Sequence, residues 1–409
     1  MNAVIHSPLS SQSFMVRDKS MEMRFVYADN AATTRISDAA FNAMLPYLKE
    51  KFGNASSVYG LGRESKNALL LAREKAAKAI GANVHEILFT SGGTEADNLA
   101  IRGCALLGEK LGKKHIVTSA IEHSAVLDSC RTLEKEGFEV TVVPVNPEGF
   151  ISADAICKAI KPDTHLVSIM TANNEIGTIQ PIAEIGKLCR ESGILFHTDA
   201  VQAVGNMKID VKEMNIDLMS VSGHKIHAPK GVGCLYCRKG IELPKLIHGG
   251  HQERNKRAGT ENVAFIAAFG QAIEEAVLGI EKNSPYIKSL RDRLYDKISD
   301  IPDMNVNGSM ENRLPGNLNL SFGGIEGESL ILSLDMHGIC VSSGAACASG
   351  SLEASHVLRA IGLDDERARG SVRITLNEEN SFDDVDYIAF KLRETVERLR
   401  KLNPNWNFR

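Results

Sequence analysis

Glu86-Ile87-Leu88-Phe89-Thr90-Ser91-Gly92-Gly93-Thr94-Glu95 carries a β-favouring apolar run straight into two glycines and the start of a helical pattern, Thr94 to Leu107. A strand that passes directly into a helix is the first half of a β–α unit. The alternation continues outward from there. Short β-rich runs recur at Lys114 to Thr118, Val140 to Val143, Leu166 to Met170, Ile194 to His197, Leu218 to Val221 and Val232 to Tyr236, with helix-like stretches at Glu64 to Ile80 and Ile182 to Glu191. These seven runs predict an α/β fold, a mostly parallel seven-stranded sheet flanked by helices. Ligands of such sheets bind at the carboxyl ends of strands, which makes the residues just after each strand the ones to inspect.

Asn262 to Lys282 reads as a long helix. Beyond it, strands near Leu318 to Ser321 and Val372 to Leu376 and helices near Glu328 to Met336 and Asp383 to Leu399 suggest a smaller α+β domain. The expected organisation is a disordered or non-native lead over 1–23, a large domain over 35–262, a connecting helix over 263–282, and a small domain built from 24–34 together with 283–409.

The chain has 409 residues, 43% of them hydrophobic, enough for a large core without disulfides. A formal charge of −4 argues against bulk nucleic-acid binding, where basic charge supplies most of the affinity. No stretch reads as the roughly 18 to 20 apolar residues of a membrane helix. Eight scattered cysteines are too sparse for a disulfide scaffold, so a reducing cytoplasm is the default expectation.

The strand ends are polar one after another. Ser91-Gly92-Gly93-Thr94-Glu95 offers backbone amides and a hydroxyl at a helix start, a cradle for a phosphate, although the same residues also suit an ordinary helix start. The next ends carry Glu122-His123, Asn173-Asn174-Glu175 and His197-Thr198-Asp199-Ala200-Val201-Gln202. Leu218 to Val221 runs into Ser222-Gly223-His224-Lys225. A lone lysine is normally a surface residue. One placed at a strand end among polar groups can be desolvated, which suits it to Schiff-base chemistry. An aspartate at the neighbouring strand end completes the pair that pyridoxal phosphate (PLP) requires: acid to the ring nitrogen, amine to the carbonyl.

With these blocks in place the chain resembles the PLP-dependent cysteine desulfurases of the NifS/IscS type, in the class V aminotransferase superfamily and PLP fold type I. The resemblance runs from Tyr27-Ala28-Asp29-Asn30-Ala31-Ala32-Thr33-Thr34 through Phe52-Gly53-Asn54-Ala55-Ser56-Ser57 to Arg373. Its most specific stretches are Ser222-Gly223-His224-Lys225 with Pro229-Lys230-Gly231, and Ser342-Ser343-Gly344-Ala345-Ala346-Cys347 followed by Ser351-Leu352-Glu353 and His356-Val357-Leu358-Arg359. The second is similar to the group with the longer cysteine loop. The resemblance implies that Lys225 bonds PLP and that Asp199 pairs with its ring nitrogen. It places Gln202 and Asn174 on the ring's oxygen side, His123 stacked on the ring as a proton relay, and Gly93, Thr94, Ser222 and His224 around the phosphate. Thr260 matches a residue that reaches the partner subunit's phosphate, which implies a homodimer with shared sites, and Arg373 matches the clamp for the substrate carboxylate. His227 and Ala228 depart from the family pattern, glycine being common at the latter site.

Ser342 to Ser351 are small residues throughout except for Cys347, a composition that behaves as a flexible tether. The implied function is desulfuration of L-cysteine to L-alanine. The sulfur is held as a persulfide on Cys347 and passed to an iron–sulfur scaffold or another sulfur acceptor. No resident metal is implied, with Cys347 as a transient holder of iron–sulfur cargo. A selenocysteine lyase or another class V PLP enzyme is the alternative, and a non-catalytic scaffold a third reading. His224-x-x-His227, Cys234-x-x-Cys237 and His248-x-x-His251 superficially suggest zinc, but residues three apart on a strand point to opposite faces. Cys104, Cys130, Cys157 and Cys189 fall in helical patterns and read as packing residues, and Cys340 as buried.

Overall fold

The computed structural model describes residues 24–343, 354–404 and 406. The lead 1–23 and, within the cysteine loop, residues 344–351 with Cys347 lie outside the described residues.

The strands of the large sheet are β1 (Ile87–Thr90), β2 (His115–Ser119), β3 (Glu139–Val143), β4 (Thr164–Ser168), β5 (Leu195–Asp199), β6 (Leu218–Ser222) and β7 (Gly233–Cys237). Their order is β1-β7-β6-β5-β4-β2-β3, seven strands in which only β7 runs antiparallel to its neighbours. Each lies within two residues of the run expected from sequence. Alternate residues feed two cores. Phe89, Val117, Val167, Phe196 and Met219 face one layer, and Leu88, Ile116, Leu166 and Leu218 the other. Burial on both faces is why these strands read as continuous apolar runs. Cys234 and Cys237 fall in opposite layers, so their spacing is that of a strand rather than of a metal pair.

Helices α1 (Asp38–Lys49), α2 (Gly60–Ala79) and α3 (Gly93–Lys110) precede β2, α4 (Ser124–Lys135) follows it, and α5 (Ile182–Glu191) precedes β5. The long helix, α6, spans Val263–Ile298, so it runs past the expected end at 282 and through Pro285. By length and composition it passes as a membrane span, with a mean hydropathy of 1.6 over its most apolar window, which corrects the reading that no stretch is apolar enough. Its apolar residues serve a protein core. Ala264, Ile266, Phe269 and Ile273 are buried, and at Gly270 even a Cβ would come within 2.6 Å of the Ala72 Cα on α2. Farther along, Leu290, Leu294 and Ile298 enter a second core.

That core contains β8 (Met304–Val306), β9 (Asn317–Phe322) and β10 (Ser371–Thr375), an antiparallel sheet in the order β10-β9-β8, with α7 (Gly327–Asp335) and α8 (Phe382–Leu402). A parallel pair, Val26–Tyr27 with Ile339–Cys340, joins the start of the described chain to it. From that pair residues 28–34 cross to the large sheet as a strap. Asn30 N–H bonds the Thr375 carbonyl at 3.2 Å, and Thr34 N–H bonds the His224 carbonyl at 2.8 Å.

Glu253, Arg254 and Asn255 hold φ of 47°, 56° and 66° in succession, a left-handed turn that disfavours side chains with a Cβ. A buried ion pair holds it in place. Arg73 donates to Glu253 Oε2 and Oε1 at 2.7 and 2.6 Å, and Phe89 N–H on β1 donates to Oε2 at 3.0 Å. Removing one member strands a buried charge. Glu253→Ala is therefore expected to cost about 3–5 kcal/mol in urea denaturation, and pairing it with Arg73→Met should recover part of that loss.

Candidate active site

The carboxyl ends of the β-strands and the strap enclose a cavity of about 400 Å³ lined by Gly93, Thr94, His123, Asn174, Asp199, Gln202, Ser222, His224, Lys225 and Arg373. Every expected site residue is gathered there except Thr260, which is exposed outside it, and Cys347, which lies outside the described residues.

At one end β1 turns at Gly92, whose φ is 154°, into α3. A Cβ on Gly93 would come within 2.8 Å of Val201 Cγ2, so only glycine fits without displacing the Val201 wall. Glu95 accepts from Ser91 N–H at 2.9 Å and pairs with Arg257 at 2.8 and 3.1 Å, which fixes the turn and leaves the first amides of α3 directed at the cavity.

Across the cavity Lys225 ends the short helical turn Gly223–Lys225 after β6. Its Nζ donates to the Ala31 and Ala32 carbonyls at 2.6 and 2.7 Å, and Gln202 Nε2 donates to Ala31 at 3.0 Å. The strap thus sets where the amine sits. His224 Nδ1 lies 3.2 Å from Thr33 Oγ1, and burial, then the nearby Lys225 and Lys230, pushes its pKa down to about 4, leaving a neutral ring. His227 takes φ of 64° and bonds Thr34 Oγ1 through its N–H and the Arg35 carbonyl through Nδ1, while Ala228 packs buried with its N–H on Gly223. The two departures from the family pattern are accommodated without opening the loop.

Asp199 is buried at the end of β5 and accepts Val201 N–H at 2.8 Å. Burial pushes its carboxyl up, opposed by His123, the Val201 amide and Lys225. Behind it lies a polar layer that sequence reading missed. His197, two residues back on the same face, has Nδ1 2.8 Å from Ser168 Oγ and Nε2 3.0 Å from Ser220 Oγ, and burial lowers its pKa to about 3. Asp97 lines the cavity from α3, 3.7 Å from His197, with Oδ1 buried and without a hydrogen-bond partner. Burial and the neighbouring Asp199 raise its pKa well above the usual range. Its place three residues after Thr94, on the inner face of α3, was the available signal.

His123 caps α4, and its Nδ1 accepts Ala125 N–H at 3.1 Å, which assigns the neutral ring's proton to Nε2. Arg373, 1% exposed on β10, donates to Asp29 Oδ1 at 2.8 Å and to the Asn174 carbonyl at 2.9 Å. Asp29 was also missed as a site residue, although it stands in the stretch Tyr27 to Thr34 that carries the resemblance. Burial raises its pKa and Arg373 opposes the rise.

These parts fit PLP: amides at a helix start for a phosphate, in a cradle at Gly93 that a Cβ would fill, a buried acid for a ring nitrogen, and an amine for a carbonyl. The comparisons agree. The Aminotransferase class-V family profile matches residues 26–388. The chain belongs to the class-V aminotransferase family, among its cysteine desulfurases. It is 52% identical to the cysteine desulfurase IscS of Methanosarcina thermophila over 94% of this chain and 95% of that one. Solved structures include a NifS-like protein (TM-score 0.86, 38% identity, 92% of this chain and 100% of that one) and SspA in complex with cysteine (TM-score 0.76, 39% identity, 86% and 98%). The family implies PLP.

Two cysteines depart from expectation. Cys157 is exposed on its helix, and Cys340 is only half-buried because its strand is two residues long at the edge of the core. Neither lines the cavity.

Glu122 has its pKa pushed up to about 8 by burial, against bonds from Ser119 Oγ and Met170 N–H. The fold therefore keeps a proton that the unfolded chain releases near pH 4.3, so this group costs stability as pH rises from there through 8. Glu122→Gln mimics the protonated acid. Thermal unfolding at a series of pH values should show the variant gaining on the wild-type protein between about pH 5 and 8, and parallel profiles would refute the assignment.

Proposed function

We propose that this protein is a PLP-dependent cysteine desulfurase that converts L-cysteine to L-alanine and carries the sulfur as a persulfide on Cys347. The observation that carries the reading is that both ends of the Cys347 segment are tied to the rim of the cavity that holds Lys225, Asp199 and Arg373. Ser342 pairs with Arg373 through both backbone groups, and at the other end His356 Nε2 lies 3.1 Å from the Glu122 carbonyl. Cys347 is five residues from Ser342, at most about 18 Å of chain, so its thiol has only a short span to cover.

Lys225 Nζ would bond the cofactor, with Asp199 against its ring nitrogen, His123 over the ring, Gln202 and Asn174 on the oxygen side, and Gly93, Thr94, Ser222 and His224 around the phosphate. When bound, PLP supplies an electron sink at the substrate's α-carbon that makes the carbon–sulfur bond labile. Asp199, as the anion, keeps the ring nitrogen's proton in place. Arg373 receives the substrate carboxylate through its Nε–H, the donor that is buried and without a partner. As a free amine, Lys225 Nζ would take the substrate's α-proton. His123 Nε2 relays a proton at the substrate sulfur. The Cys347 thiolate then attacks that sulfur, the carbon–sulfur electron pair stays with the carbon skeleton and is protonated to alanine, and the persulfide remains on Cys347.

The shared-site homodimer is part of the same reading. It is supported by an exposed apolar face, Phe41, Leu45, Leu48, Phe52, Val58 and Tyr59, and by Thr260 standing outside its own cavity beside Gly259, whose N–H bonds Gln252 Oε1 at 3.1 Å. A sulfur acceptor, an iron–sulfur scaffold or another protein in the cytoplasm, would take the persulfide sulfur.

Incubation with L-cysteine and a reductant should release sulfide and alanine in equal amounts. Cys347→Ala should keep the yellow colour and lose sulfur transfer, whereas Lys225→Ala should lose the colour. Alanine without sulfur product sinks the reading. Arg373→Lys should raise KM for cysteine by roughly 10-fold or more, since one ammonium does not reproduce separate contacts to Asp29, Asn174 and the substrate carboxylate, and an unchanged KM would remove Arg373 from the substrate site.

A further inference from the structure

Glu175 takes no part in the chemistry above, yet three parts of the molecule meet at it. It lies in the turn after β4, 5% exposed, next to Asn174, whose carbonyl receives Arg373 Nη1 at 2.9 Å. Its own carbonyl accepts Asn317 and Asn319 Nδ2 from β9 at 3.2 and 3.1 Å. Asn173 Oδ1 fixes the turn from within, accepting Glu175 N–H at 2.8 Å and Ile176 N–H at 3.0 Å. The side chain then reaches toward the residues that follow the cysteine segment, where Oε2 accepts Ser355 Oγ at 2.5 Å. Ser355 in turn caps the short helix His356–Ala360, taking Val357 and Leu358 N–H at 3.1 and 3.2 Å. Burial raises the Glu175 pKa, and the Ser355 bond, then His356, Arg373 and His123, oppose the rise.

A buried carboxylate is costly unless it is satisfied, and among the described residues this one takes its hydrogen bond from a serine instead of from the neighbouring arginine. Ser355 is the second described residue after the cysteine segment, eight residues from Cys347. We propose that Glu175 is a positioning residue for the reacting thiol: by holding Ser355 beside Asn174 and Arg373 it fixes the far end of the segment that bears Cys347 against the substrate site. Ser342, bridged to Arg373 on β10, fixes the near end, so the thiol's reach is set from two points on one rim. This rests on the desulfurase reading.

The test uses the full-length PLP-loaded enzyme with Glu175→Ala, Glu175→Gln, Ser355→Gly and the double variant Glu175→Ala/Ser355→Gly. Two readings separate thiol positioning from substrate binding. One is the cysteine concentration that half-saturates the absorbance change on mixing, and the other is the single-turnover rate of persulfide formation on Cys347 by quench and mass analysis. Glycine is tolerated at a helix N-cap with little loss, so Ser355→Gly removes the bond to Glu175 more than the cap. Glu175→Ala and Ser355→Gly are each expected to slow persulfide formation by about 10- to 100-fold, the worth of a hydrogen bond to a charged group. Half-saturation should stay within about twofold, since the substrate's own contacts are intact. Gln keeps an acceptor and should restore most of the rate, and the double variant should be no slower than the slower single one. Additive losses, a weakened cysteine affinity with a normal persulfide rate, or Gln no better than Ala would each overturn the proposal. Should Glu175→Ala fail to fold, Ser355→Gly at the wild-type rate overturns it alone. If the wild-type enzyme forms no persulfide on Cys347, the functional reading falls and takes the anchor's purpose with it, whereas a normal wild type with normal variants overturns the anchor only.

Discussion

Arg373 is a guanidinium almost without solvent, and a buried charge must be met by fixed partners. Its partners organise the rest of the site. Asp29 brings the strap, Asn174 brings the turn after β4, and the backbone pairing with Ser342 brings the start of the cysteine segment. The strap, once fixed at Asp29, presents the Ala31 and Ala32 carbonyls that hold the Lys225 amine. One ion pair in the small core therefore determines where the amine of the large sheet lies. Breaking it would displace groups on both sides of the cavity at once.

The second constraint is electrostatic. Asp97, Asp199 and Glu122 are all buried around the cavity, and burial raises the pKa of each. Three carboxylates this deep cannot all be anions near neutral pH. Only Asp199 has His123, Lys225 and a backbone amide together to favour its charged form. Glu122 has the help of two hydrogen bonds and weaker help from His123, while Asp97 has a serine bond against the charges of Asp199 and Glu122. The negative charge is thereby directed to Asp199 at the end of β5. His197, kept neutral between two serines, supplies polarity beneath Asp199 without adding a competing charge.

Much of this was legible in the sequence because the sheet is buried on both faces and its strands are short apolar runs that end in polar residues. The seven strands, the cradle at Gly93 and Thr94, and the gathering of His123, Asn174, Asp199 and Lys225 follow from that pattern, whereas Arg373, in the middle of its strand, was reached only through the resemblance. What escaped depends on contacts distant along the chain. Asp29 reads as an ordinary loop acid until β10 brings Arg373 to it, and Asp97 as a polar residue on a helix until β5 and β6 close beneath it. The length of α6 was also misjudged, because its apolar face passes from one core to a second, which carries the helix beyond 282 and through Pro285 to Ile298. Cys157 shows the reverse error: a helical pattern says nothing about which side of a short helix meets water.

The strap has a consequence for the order in which the molecule is made. It emerges among the first residues of the chain, but its pairing partners are Ile339–Cys340 and Thr375, and its lysine is Lys225. The large sheet can collapse during synthesis, at about 5–20 residues per second, and can offer the strap its His224, Gln202 and Lys225 contacts, while the Asp29 and Asn30 end of the strap lacks Arg373 and Thr375 until β10 has left the ribosome. A growing chain thus forms the Asp199 and Gly93 ends of the cavity before both ends of the strap that holds Lys225 Nζ are fixed. A chain truncated before Thr375 would keep the large sheet but lose the Arg373 and Thr375 contacts that fix one end of the strap.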